Sequence, residues 1–163
     1  MNPNLVTVSG CNEPDAPALY GDQDRHLMAL AAIAKVRDAD RIEEIARFAA
    51  AAGWKHIGIA CCVLFSKEAK RLAQRLGEHF RITHVDCKIC RIAAEALVPG
   101  AQGISCNPIG QALILATECT DLNIAMGLCF GHDLLFARHS QAPVTTLIVK
   151  DRRHGNNPAA ALI

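Results

Sequence analysis

Strand-length segments recur along this chain of 163 residues, and all but the last run into a helical stretch. Strands joined through helices must run parallel, since antiparallel neighbours need only a tight turn. The alternation predicts an α/β fold in three layers: a mainly parallel sheet with helices on both faces, and a helical pair at the N-terminus. Such a sheet gathers its strand ends on one edge, where open α/β folds build their sites. What the chain carries at those ends therefore decides its chemistry.

Residues 57–65 (IGIACCVLF) form a continuous apolar run, and Ser66 caps a helix that turns Ala69, Leu72, Ala73 and Leu76 inward. Residues 81–86 read as a second strand, followed by Cys87, Lys88, Ile89 and Cys90 and by a helical stretch over 91–97 that Pro99 and Gly100 close. Residues 101–106 read as a short third strand, with Asn107 as N-cap and Pro108 at the first helical position, where its missing N–H costs nothing. The helix from Pro108 is apolar almost all round, which predicts burial on more than one side and a surface for a second subunit in a homo-oligomer. A fourth strand over 122–128 delivers Cys129, a turn at Gly131, and a short helix opened by His132 and Asp133. Pro143 precedes a fifth strand over 144–149.

Residues 1–22, rich in Pro, Asn, Asp and Gly, read as an arm. Residues 23–163 are left as one α/β domain, a length that supports a single core. From Asp24, Leu27, Leu30, Ala31 and Ala34 follow one helical face. Asp40 and Glu43 have the spacing of a capping box for a second helix, which Gly53 stops.

A net charge of +1, with no dense basic stripe, argues against nucleic acid. No uncharged apolar stretch reaches about 18 residues and the N-terminus has no signal-like character, so no membrane is expected and the cytosol is the expected location. Eight cysteines in a reducing compartment point to metal or redox chemistry.

On this layout Cys62 lies late in the first strand, Cys87 and Cys90 follow the second, Cys106 ends the third and Cys129 ends the fourth. A parallel sheet brings them to one rim with His132 and with Lys150 and Asp151 at the end of the fifth strand. Any one cysteine is ordinarily a small apolar residue of a buried strand. Coincidence at four strand ends is harder to explain that way. Thiolates from separate elements suit tetrahedral zinc or an iron–sulfur cluster, and helix N-termini behind them favour the anionic form. The spacing is neither the paired C-x-x-C of a zinc ribbon nor the compact run of a ferredoxin.

An iron–sulfur cluster of the 4Fe–4S type, assembled from scattered strand ends, is the first expectation, with Cys62, Cys87, Cys90, Cys106 and Cys129 as candidate ligands. Five candidates for four corners leave one thiol free, or leave an open iron facing a small anionic or sulfur-containing substrate. His132 is then the candidate catalytic group, and Asp133, Lys150 and Arg152 are candidate binding groups. Two alternatives stay open: a non-catalytic zinc-binding module, and a thiol–disulfide oxidoreductase using Cys87 and Cys90, a C-x-x-C placed between strand and helix. The chain has no G-x-S-x-G elbow, no G-x-G-x-x-G and no Walker loop, so a serine hydrolase and a nucleotide cofactor lack support. Cys61 and Cys119 read as core residues. His26, His56, His79, His84 and His139 read as surface or packing groups.

The blocks EEIARFAAAAGWKHIGIACC, CKIC, CNPIGQALIL, TDLNIAMGLCFGHDLLF and SQAPVTTLIVKDR, the last followed by GNNP, together resemble a prokaryotic family known as domain of unknown function 1847, whose members are often labelled metal-binding proteins. The resemblance covers roughly residues 41–162. It implies a shared site containing Cys62, Cys87, Cys90, Cys106, Cys129 and His132, and no particular reaction. Relatives carry a cysteine-rich N-terminal segment where this chain has Cys11 alone, which implies a structural or idle role for Cys11.

Overall fold

The computed structural model describes residues 16–163, so Cys11 lies outside the described residues. Residues Ala16–Leu19 form a 3-10 turn, and α1 (Asp22–Ala34) starts at once after it. The capping box forms as its spacing predicts: Asp40 Oδ1 accepts from the Glu43 N–H at 2.9 Å and Glu43 Oε2 accepts from the Asp40 N–H at 3.1 Å, opening α2 (Arg41–Ala51). Gly53, at φ +71°, ends that helix in the left-handed conformation that glycine adopts without a steric penalty.

Four strands make one sheet, in the order β2-β1-β3-β4, with every pair parallel. They are β1 (His56–Cys61), β2 (Arg81–Asp86), β3 (Leu122–Met126) and β4 (Val144–Ile148). The chain steps from β1 out to β2 and then crosses back past β1 to β3 and β4. Right-handed crossovers require the intervening helices to change face at that reversal. They do: α3 (Ser66–Gly77) packs with α2 on one face, and α4 (Pro108–Thr117) and α5 (Phe130–His139) pack on the other. The result is the three-layer α/β arrangement, with α1 packed on α2 as the N-terminal helical pair.

Alternation along the strands divides the core. Ile57, Ile59, Cys61, Ile124 and Met126 face α2 and α3, where Ile45, Ala49, Ala69, Leu72 and Leu76 meet them. Ala60, Val85 and Ala125 face α4 and α5, against Ala112, Leu115 and Phe136. Each fully buried Ile, Leu or Phe contributes roughly 1.5–3 kcal/mol of burial.

Four expectations from the sequence give way to the structure. Strand β1 stops at Cys61, and residues Val63–Phe65, expected to continue it, form a 3-10 turn; Ser66 lies inside α3, its Oγ 3.0 Å from Val63 O, and does not cap the helix. The expected strand over 101–106 is not a strand. Gly100 and Gly103 take φ +81° and +82°, and the segment folds back on its own start through a single antiparallel bridge between Ala93 and Ile104. The helix expected over 91–97 is replaced by two short 3-10 turns, Ile89–Arg91 and Ala94–Ala96, inside the same returning loop. The helix from Pro108 is apolar but one-sided: Ala112 and Leu115 are buried while Leu113 and Ile114 face outward.

Candidate metal centre

The reversal of strand order falls between β1 and β3, so the crevice beyond their carboxyl ends is the switch point where ligands of open α/β sheets bind. Cys62 leaves β1 and Cys129 follows β3 on either side of that crevice, and Lys150 follows β4. Lys150 Nζ donates to Cys62 Sγ at 2.9 Å and reaches Cys129 Sγ at 3.6 Å. One ammonium thus bridges the thiols of two strand ends.

The other pair is assembled by the loop between β2 and α4. The Asn107 N–H donates to Cys87 O at 2.6 Å, closing the loop on its origin, and Ser105 N donates to Ile92 O at 2.9 Å within it. Cys106 is thereby returned to Cys87, with the two Sγ atoms 3.4 Å apart. Asn107 also caps α4, its side chain accepting from the Gly110 N–H at 2.8 Å, so the cap that starts the helix fixes the cysteine before it. Cys106 reaches the rim by loop closure, although the sequence suggests arrival on a strand.

Electrostatics separate the thiols. Burial pushes Cys62 up, but the Lys150 ammonium, the Leu64 N–H and the Cys87 thiol outweigh it and hold its pKa below the ordinary thiol value. Cys87 is pushed up to about 12, by burial first and then by Cys106 and Cys62, against the opposing pull of the Val63 N–H. Lys150 itself is raised despite partial burial, because Cys62 and Cys129 favour its charged form.

The remaining expected residues divide. His132, in the first turn of α5, is half-buried, and burial together with the Lys150 charge lowers its pKa. Arg152 reaches Cys129 Sγ at 3.9 Å from the exposed segment beyond β4. Asp133 turns toward β4, where Thr146 Oγ1 is 3.5 Å from its Oδ2; its Oδ1 is buried without a partner, and burial raises its pKa. Cys90 is exposed on a turn at φ +59° and makes none of these sulfur contacts, so the near neighbour of Cys87 is Cys106. A groove of about 300 Å³ between α1, α2 and the starts of β3 and β4 is lined by Leu27, Ile45, Phe48, Trp54 and Pro143; it lies at the amino end of the sheet and holds no thiol.

A second group escaped the sequence reading. Cys61 Sγ lies 3.0 Å from His84 Nε2 and 3.1 Å from Asp86 Oδ1, at the ends of β1 and β2. Burial, with the Asp86 carboxylate next, raises the Cys61 pKa strongly. The available signal was the alternation His84, Asp86 at the end of one strand, which puts both side chains on one face.

The fold and rim define a small parallel α/β protein with a cysteine-rich strand edge. The family described as "Protein of unknown function (DUF1847)" matches residues 12–147, and the chain belongs to it. It is also 47% identical over 127 residues to "Uncharacterized protein MJ0455" of Methanocaldococcus jannaschii, a match covering 75% of this chain. The chain spans 66% of that relative's length. No solved structure matches it. Among the described residues, no helix is long and apolar enough to cross a membrane.

Proposed function

We propose that this protein binds an iron–sulfur cluster at the carboxyl edge of its sheet, with Cys62, Cys87, Cys106 and Cys129 as ligands. The observation that carries the reading is two thiol pairs from separate chain segments at neighbouring strand ends: Cys87 and Cys106 are 3.4 Å apart, Cys62 and Cys129 share Lys150, and Cys62 and Cys87 follow the paired residues Cys61 and Asp86. Soft thiolates select zinc, cuprous copper or iron–sulfur clusters. Tetrahedral zinc, about 2.3 Å from each sulfur, holds its sulfurs about 3.8 Å apart. The 3.4 Å between the Cys87 and Cys106 sulfurs lies close to that edge, so a cluster requires this pair to part as it binds, and the preference for a cluster rests on ligands scattered over separate chain segments.

Lys150 and Arg152 reach sulfur, where charge and hydrogen bonds tune a cluster. A bound cluster supplies electron transfer, or an iron that attracts a ligand. His132, Lys150 and Arg152 border this rim and fit a small anionic or sulfur-containing ligand.

Anaerobic reconstitution with ferrous iron and sulfide is the test. The expected product is brown and holds about four irons per chain, and Cys62→Ser and Cys106→Ser lose that iron. A colourless, iron-free product from folded protein overturns the reading.

A further inference from the structure

Cys61, His84 and Asp86 stand apart from the thiol rim. The parallel register pairs Cys61 with Asp86 and Ile59 with His84. Residues two apart on a strand share a face, so His84 and Asp86 stand side by side next to Cys61, on the face covered by α3. Three donor atoms converge: Sγ to Nε2 is 3.0 Å, Sγ to Oδ1 is 3.1 Å, and Nε2 to Oδ1 is 3.6 Å.

A catalytic Cys-His-Asp relay needs a different order. Its acid holds Nδ1 while the sulfur meets Nε2 and faces substrate. Here the sulfur and the carboxylate both approach Nε2, and Cys61 is 0% exposed. Convergence on a shared point is how metal ligands are arranged. We propose that Cys61, His84 and Asp86 form a mononuclear zinc(II) site, separate from the thiol rim, with its fourth position open to solvent beside Ser66.

The donor set and its dimensions support zinc. One sulfur, one imidazole nitrogen and one carboxylate oxygen make a mixed set that this borderline-soft ion accepts with a water as fourth ligand. Bond lengths of about 2.3 Å to sulfur and about 2.0–2.2 Å to nitrogen and oxygen set tetrahedral edges near about 3.5 Å. The His84–Asp86 edge of 3.6 Å already has that length, and the two sulfur edges need to open by about half an ångström. His84 and Asp86 have room to do so, with side chains 21% and 46% exposed, and they give the ion a path to the buried sulfur. Ser66 Oγ donates to Asp86 Oδ1 at 2.9 Å, the outer-shell bond that orients a ligating carboxylate. Binding releases the Cys61 proton to solvent and changes no oxidation state.

Zinc dialysed into the iron-free full-length chain, into Cys106→Ser, and into His84→Ala and Asp86→Asn made in the Cys106→Ser chain tests the site. Cys106→Ser is expected to keep about one zinc whose X-ray absorption shows a single sulfur among nitrogen and oxygen ligands. His84→Ala and Asp86→Asn are expected to bind it at least about tenfold more weakly. Should those two fail to fold by circular dichroism, Cys106→Ser at substoichiometric zinc decides: one sulfur in the shell supports the site. A sulfur-only shell, no retained zinc, or unchanged binding in both folded variants overturns it. Iron loss from Cys106→Ser reports on the rim alone, so the two proposals fail separately.

Discussion

Lys150 Nζ donates to Cys62 Sγ across 2.9 Å, joining residues 88 positions apart in the chain. The contact lowers the Cys62 pKa against the effect of burial. A thiol depressed in this way contributes stability that is present above its unfolded value and lost as pH falls through the folded one. In Lys150→Met, alkylation of Cys62 in the metal-free protein is expected to move to higher pH, followed peptide by peptide in the mass spectrometer. Lys150→Arg is expected to retain part of the effect. An unchanged midpoint in Lys150→Met means the ammonium does not set this thiol's state.

Cys87 has the opposite sign. Its pKa is raised from 9.0 to about 12, so its contribution is complete below 9.0 and is lost as pH rises toward 12. Urea midpoints of the metal-free protein are expected to fall across that window, with Cys61, raised in the same direction, adding to the loss. Cys87→Ala is expected to flatten the alkaline slope; an equally steep slope in that variant removes Cys87 as its source.

Asn107 joins a helix start to the rim. Its side chain caps α4 at 2.8 Å and its N–H closes the loop onto Cys87 O. Asn107→Ala keeps the second bond and loses the first, at an expected cost of about 1 kcal/mol in urea unfolding. Faster alkylation of Cys106 should accompany it. Stability equal to wild type argues that the cap contributes nothing here.

Gly127 sits at φ +61° under the Phe65 ring, at the point where β3 turns toward Cys129. A Cβ there meets that ring and also strains the backbone. Gly127→Ala is expected to cost about 3 kcal/mol, the sum of a left-handed residue and an overpacked ring. Phe65→Ala in the same chain should relieve part of that cost; strictly additive losses from the two changes rule the contact out.

Local signals were legible in the sequence, and non-local ones were not. The box of Asp40 and Glu43 and the cap of Asn107 before Pro108 depend on residues three apart, so their spacing alone announces them. Strand β2 falls over the expected 81–86. Residues 101–106 misled because a short β-prone segment looks the same whether it pairs in a sheet or folds back on its own loop, and only Gly103 marked the difference. Cys61 and His84 looked like packing groups because their neighbourhood is created by the β1–β2 register, which no local pattern encodes. Cys106 came to the rim for a reason other than the expected one, through the returning loop.

Gln111 gives the rim and the Cys61 cluster a common mechanical part. Fully buried on α4, it donates from Nε2 to Cys61 O at 3.1 Å and to Val85 O at 2.8 Å, spanning the two strands just where they stop. Cys61 and Asp86 lie across that span on one side, and Cys62 and Cys87 continue from it into the rim. The carboxamide holds the ends of β1 and β2 at one fixed separation, so Gln111→Leu, which keeps the volume and removes both bonds, loosens the two strand ends together.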